Sequence, residues 1–149
     1  MSESEVSEDQ MALLLQGSRQ FAFEQMSAGR RLLPFAARVK TDGEIEFVSF
    51  AKEDSEQPLE EIYAVTQQAM AQQAKDGVIV AASLVAAVQI QDPAKEFEQA
   101  IRIHLEAPGF VRQVLAPYAI VPDAEDANTA SINLGEMIPV ACEAEVFTG

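Results

Sequence analysis

The stretch LLPFAARVKTDGEIEFVSF, residues 32–50, is the strongest local signal in the chain and predicts a β-hairpin. Apolar and charged residues alternate on both sides of the letters TDG, as they do in strands that bury one face. A two-residue turn would place Lys40 opposite Ile45, whereas a three-residue turn with Gly43 in the left-handed conformation places Val39 there. We therefore predict the longer turn. The other expected pairs are Ala37 with Phe47, Arg38 with Glu46 and Lys40 with Glu44.

The two charge pairs of this hairpin lie on the same face of the expected sheet. Cross-strand pairs of opposite charge contribute a few tenths of a kcal/mol and are typical of solvated surfaces. We therefore expect this face to meet water.

Two helices flank the hairpin in the sequence. The first begins at the capping box SEDQ, residues 7–10, and ends at Gly29. The second begins at Pro58 and ends at Gly77. The expected inner stripes are Met11, Leu14, Leu15, Ser18, Ala22 and Met26 in the first helix, and Leu59, Ile62, Thr66, Ala69, Met70 and Gln73 in the second.

Four further strands are predicted after the second helix. The apolar run from Val78 to Ile90 is the expected central strand. Its small residues Ala81, Ser83 and Ala87 either allow a helix to pack closely or form a surface that a partner covers. Helix packing is the favoured alternative. The remaining strands are Ala100–Glu106, Phe110–Ile120 and Met137–Phe147, with an acidic loop at residues 121–131.

The expected fold class is α+β, with the order α-β-β-α-β-β-β-β, a mainly antiparallel sheet and both helices in one layer on the same face. A length of 149 residues fits one globular domain, residues 1–149, of which residues 1–6 are expected to be disordered.

The segment PFAARVKTDGEI resembles the hairpin of small bacterial single-domain proteins with a PFAxxxxxDGE pattern. The element order also resembles the roadblock and profilin-like folds and, more loosely, small acidic secretion chaperones. The resemblance implies a bacterial single-domain protein, and it transfers no activity and no site residue to this chain.

The chain is strongly acidic, with 24 Asp and Glu against 10 Lys and Arg, a formal charge of -14. The electric field of this negative charge repels phosphate backbones and anionic lipid, so we expect neither nucleic acid nor a membrane as partner. A basic protein is the expected alternative. The N-terminus lacks the pattern of a secretory signal, and the longest apolar run, VIVAASLVAAV, is too short to span a bilayer. We expect a cytoplasmic protein.

Few residues offer chemistry. His104 alternates with Ile103 and Leu105, which predicts an exposed histidine on the polar face; His104, Arg102 and Glu106 are the weak catalytic candidates. Cys142 is expected to be a small buried residue, and a dyad with His104 would require the two to meet across strands.

One histidine and one cysteine do not make a zinc site. Oxygen ligands cluster in the acidic loop, but that loop lacks the glycine and terminal Glu of an EF-hand, and no phosphate-binding glycine motif occurs. We therefore expect no metal and no cofactor. The weak metal candidates are Asp123, Glu125 and Asp126, with Asn128 beside them.

Three functions remain open on these grounds. The leading hypothesis is a non-enzymatic protein-binding module, such as an adaptor, a small chaperone or an immunity-type protein. The first alternative is a small enzyme or ligand-binding domain that uses carboxylates with His104 and Arg102. The second is a structural subunit of a homo-oligomer, associated through an outer sheet face or an edge strand.

Overall fold

The computed structural model describes residues 8–27, 33–49, 57–90, 99–122, 130–134 and 137–147. Two helices and seven strands lie in these residues. In chain order they are α1 (Glu8–Ser27), β1 (Phe35–Lys40), β2 (Ile45–Val48), α2 (Leu59–Lys75), β3 (Ile79–Gln89), β4 (Gln99–Ala107), β5 (Phe110–Pro122), β6 (Ala130–Leu134) and β7 (Ile138–Val140).

The strands form one antiparallel sheet in the order β2-β1-β3-β4-β5-β6, and β7 pairs with β5. The two partners of β5 lie along different parts of this long strand, since β7 pairs with Gln113–Leu115 and β6 with Tyr118–Pro122. The long strands β3 and β4 are central and carry most of the sheet's buried apolar residues. The predicted α+β class, the antiparallel sheet and the order of elements through β5 are confirmed.

The first hairpin has the predicted register. Val39 pairs with Ile45 and Arg38 with Glu46, and Gly43 has a φ of 88°, the left-handed conformation that the three-residue turn requires. The guanidinium of Arg38 lies 2.8 Å from the Glu46 carboxylate. Alternation and turn chemistry are both local, which is why the sequence predicts this unit so closely.

Helix α1 packs against one face of the sheet, which we call the α1 face. The predicted inner stripe of α1 is buried at Met11, Leu14, Ser18, Ala22 and Met26. Helix α1 lies close to β3 where the side chains of this strand are small. The hydroxyls of Ser18 and Ser83 are 2.7 Å apart. The helix therefore covers these small residues, as the favoured alternative predicted. The sheet residues of this core are Phe35, Ala37, Val39, Ala81, Val85, Ile101, Ile103, Leu105, Ala107, Ala116 and Tyr118.

Helix α2 packs against the opposite face, which we call the α2 face, so the expectation that both helices cover the same face in two layers was wrong. Met70 is buried with Ala36 and Leu84, and Arg38 donates to Gln73 at 3.0 Å. Ala36 adjoins Ala37 of the α1 face, and neighbouring residues of a strand point to opposite sides. The physical reason is that β3 carries buried apolar residues on both faces, so each face requires its own cover.

The C-terminal part of the chain also differs from the prediction. Of the expected strand Met137–Phe147, only Ile138–Val140 is paired, and β6 is an additional strand. The ends of the predicted acidic loop, residues 121–122 and 130–131, belong to β5 and β6. Residues 123–129 and 1–6 lie outside the described residues. Neither α1 nor α2, the two helices of the described ranges, has the length and apolar character to cross a membrane.

Candidate functional site

The weak catalytic candidates lie together at positions 102, 104 and 106 of β4, on the α2 face. Residues two apart in a strand share a face, so the local spacing brings Arg102, His104 and Glu106 into one row. His104 and Glu106 are completely buried, with no exposed surface. The prediction of an exposed histidine was therefore wrong. Helix α2 and the C-terminal segment Glu145–Phe147 contact this row and cover it.

Glu106 binds the main chain of that segment. Its carboxylate accepts hydrogen bonds from the backbone N–H groups of Glu145 at 2.6 Å, Val146 at 3.0 Å and Phe147 at 2.9 Å. Nε2 of His104 lies 2.5 Å from the same carboxylate. Burial alone would raise the pKa of Glu106, but the hydrogen bonds from His104 and the three backbone groups outweigh it and hold the pKa at about 2. The group therefore stays ionised near neutral pH.

Arg102 binds the side chain of the same segment. It donates to the Glu145 carboxylate at 2.6 Å and to the Tyr63 hydroxyl, and that hydroxyl donates to the other oxygen of Glu145 at 2.8 Å. The guanidinium also lies 5.1 Å from the centre of the Tyr63 ring. Burial raises the pKa of Tyr63 above its ordinary value, and the Glu145 carboxylate adds to the rise while Arg102 opposes it. The phenol is therefore a hydrogen-bonding group near neutral pH.

His104 completes this network. Its Nδ1 lies 3.0 Å from Oε1 of Gln113 and 3.5 Å from the Glu145 carboxylate, while Nε2 faces Glu106. Both ring nitrogens are thus engaged inside the protein. We call Arg102, His104 and Glu106 together with Glu145–Phe147 the C-terminal clamp, because these contacts fix the end of the described chain on the sheet.

Three members of the network were not predicted as site residues: Tyr63, Gln113 and Glu145. The pairing of Gln113 with His104 could have been predicted from the sequence, because a two-residue turn at Pro108-Gly109 places these two residues opposite each other. The structure has this register. Tyr63 and Glu145 come from α2 and from an irregular segment far along the chain, and no local pattern joins them to β4.

Cys142 lies outside this network. It is partly exposed in an irregular stretch, so the prediction of a buried strand residue was wrong. Partial burial raises the pKa of the Cys142 thiol, and the Glu106 carboxylate adds to the rise, which disfavours the thiolate. Because both nitrogens of His104 have other partners, the considered dyad is not formed.

No group of three or more possible metal ligands occurs within the described ranges. The weak metal candidates Asp123, Glu125 and Asp126 lie outside those ranges. The clamp residues hydrogen-bond to one another and to the main chain of the C-terminal segment.

An open groove of about 960 Å³ lies beside the clamp. One wall is the glutamine-rich side of α2, the end is the turn at Pro108-Gly109, and the other wall is Val146 and Phe147. Gln67 links the two walls by donating to the main-chain oxygen of Glu145 at 2.6 Å. The described lining residues are Gln67, Gln68, Ala71, Gln72, Ala74, Lys75, Pro108, Gly109, Val146 and Phe147.

Comparisons of this chain with protein-family models, with curated proteins and with solved structures find no significant match. What the chain does is therefore inferred from its own residues and their geometry.

Proposed function

We propose that this chain is a non-enzymatic protein-binding module that holds an extended segment of a basic partner protein in the groove beside α2. The observation that carries this proposal is the groove itself, which is open, large enough for several residues and lined by three glutamines.

The glutamine side chains fit the main chain of a peptide. Each carboxamide offers a carbonyl acceptor and an NH₂ donor, the same groups that an extended backbone presents. Gln67 already makes a bond of this kind to the main chain of Glu145. Gln68 and Gln72 are exposed on the same side of α2, where they can bind the backbone of a second segment.

Charge favours a basic partner. The formal charge of -14 attracts cations at long range, and Gln72 of the groove bonds the exposed carboxylate of Asp76 at 3.0 Å. Lys75 also lines the groove, so the bound segment would place its main chain, rather than a cationic side chain, beside this residue. The expected result is association that is fast at low salt and weaker as salt is added.

The enzyme alternative has less support. Arg102, His104 and Glu106 are absent from the described lining of the groove, and each already binds other parts of the chain. A catalytic acid or base must reach its substrate directly or through one water. Buried and fully engaged groups stabilise the fold instead, so the geometry favours the protein-binding hypothesis.

The proposal is tested by blocking the groove without changing the rest of the surface. Ala71→Arg places a long cationic side chain in the groove, and Ala64→Arg places the same side chain on an exposed part of α2 that does not line it. Wild-type and variant proteins are used as tagged baits in lysate of the source organism at low salt, and retained proteins are identified and then purified for direct binding.

A stoichiometric partner that binds the wild type and Ala64→Arg, is lost from Ala71→Arg and is released by salt would support the proposal. Equal retention by all three baits would contradict the assignment to this groove. If the only retained protein is a second copy of the chain, the homo-oligomer alternative replaces the adaptor, chaperone and immunity-type hypotheses.

A further inference from the structure

A second pocket, of about 490 Å³, lies beside α1 and is separate from the groove beside α2. Six of its described lining residues come from one side of α1, and Met137 comes from the residue before β7. Because α1 and α2 pack on opposite faces of the sheet, the two sites lie on different sides of the molecule. The described lining residues are Ala12, Leu15, Gln16, Arg19, Gln20, Phe23 and Met137.

Arg19 has an unusual environment in this pocket. Its Nε is buried and has no hydrogen-bond partner, and Arg19 forms no ion pair with any other described residue. A guanidinium donor that is removed from water and left without an acceptor destabilises the protein by a substantial amount. Nε lies below the accessible surface, whereas Arg19 as a whole is partly exposed and lines the pocket, so a ligand in the pocket meets the guanidinium and reaches Nε with a shift of this side chain.

The chemistry of the walls defines the acceptor. The guanidinium presents Nε and Nη as a planar fork that matches a carboxylate, and a single cation balances a single negative charge. Leu15, Phe23 and Met137 are partly buried apolar side chains that can cover an alkyl chain. Gln16 and Gln20 add NH₂ donors, and the NH₂ group of Gln20 also donates to Glu24 at 3.2 Å.

We propose that this pocket binds a medium-chain alkyl carboxylate, with the carboxylate on Arg19 and the chain against Leu15, Phe23 and Met137. The volume lies within the range of small-molecule sites, and the mixture of apolar walls with few polar groups is typical of them. The acidic surface of the protein opposes the approach of an anion, so binding should be stronger at moderate than at very low salt.

The test is calorimetric titration of the full chain with octanoate. The wild type should bind one octanoate saturably, and Arg19→Gln should weaken this binding about tenfold or more, because it removes a charge-assisted hydrogen-bond donor. Arg19→Lys should retain part of the affinity, since it keeps the charge and loses the fork. Arg112→Gln is the matched control: Arg112 is exposed, stacks on Phe110 and does not line the pocket.

1-Octanol distinguishes a carboxylate site from a merely apolar one. The proposal is supported if the wild type binds the alcohol more weakly than octanoate. Arg19→Gln should bind the alcohol with the same affinity as the wild type does. Absence of saturable octanoate binding, an unchanged affinity in Arg19→Gln, or an equal loss in Arg112→Gln would overturn it. Circular dichroism of each variant verifies that it is folded. The absence of saturable octanoate binding is tested on the wild type, so this outcome does not depend on the folding of any variant.

Discussion

The carboxylate of Glu106 lies 2.5 Å from Nε2 of His104, two residues earlier in the same central strand, and both side chains are completely buried. Burial of two ionisable groups is costly unless both are hydrogen-bonded. Here the cost is offset by three backbone N–H groups of the C-terminal segment and by Gln113. The pair therefore acts as an internal anchor for Glu145–Phe147.

Replacement of Glu106 should show the strength of this anchor. Glu106→Gln keeps the size of the side chain but leaves one acceptor oxygen for three backbone donors, so we expect the free energy of unfolding to fall by about 2 to 4 kcal/mol. Urea denaturation near neutral pH measures the change. Glu44→Gln is the control, since Glu44 is exposed and pairs only with Lys40 in the hairpin, and it should cost less than about 0.5 kcal/mol. Similar losses in the two variants would contradict the anchor.

The pKa of Glu106 predicts how stability depends on acid. The folded-state value of about 2 lies below the ordinary value of 4.5, so the carboxylate stabilises the fold fully above the ordinary value. That contribution is lost as the pH falls toward 2. The difference in unfolding free energy between the wild type and Glu106→Gln should therefore be constant above about pH 5 and shrink below it. A difference that grows on acidification would contradict the lowered pKa of Glu106 in the folded state.

The two tyrosines of the chain should resist ionisation in the folded state. Burial raises the pKa of Tyr118 as well as that of Tyr63. In an ultraviolet titration the folded protein should therefore form little phenolate as the pH passes 10, whereas the urea-unfolded chain should titrate near 10. Tyr63→Phe isolates the signal of Tyr118. A phenol that titrates near 10 in folded wild type and is lost in Tyr63→Phe would contradict the contact with Glu145.

The hydroxyl pair between α1 and β3 should behave as a coupled unit. Ser18→Ala or Ser83→Ala alone leaves one buried hydroxyl without this partner, and each should cost about 1 to 2 kcal/mol. The double variant should cost less than the sum of the two, with a coupling of at least about 0.5 kcal/mol in a denaturation cycle. Additive losses would show that the 2.7 Å contact contributes little. Ser83 also accepts from the Ala37 backbone at 3.3 Å, so Ser83→Ala should be the more costly single change.

The hairpin and the burial of His104 show where sequence reasoning succeeds and where it fails. Register and turn geometry depend on adjacent residues, so the pairs Val39 with Ile45 and Arg38 with Glu46 follow from alternation alone. Alternation also separates His104 from Ile103 and Leu105, and the strand pairing puts it on the same face as Arg38. It does not show what covers that face, and the cover comes from α2 and from residues some forty positions later.

The position of α2 has the same explanation. Charged residues of β1 suggested one solvated face, but Ala36, Ala82 and Leu84 on that face are apolar and bury Met70. A strand with small apolar residues on both sides can be covered on both sides, and only tertiary packing decides. The row at positions 102, 104 and 106 could be predicted from sequence, whereas the closed network with Tyr63 and Glu145 could not.

Val146 should control local opening of the C-terminal segment. It is buried against the cluster of Met70 and Leu84, and its neighbours in sequence bind Glu106 through the main chain. Val146→Ala removes part of that packing, so amide hydrogen exchange at residues 145–147 should accelerate several-fold, while exchange in β3 and β4 should change much less. Val65→Ala, at an exposed position of α2, is the control and should leave exchange unchanged. If β4 amides accelerate as much as residues 145–147, the segment opens only with the whole sheet and the local clamp is excluded.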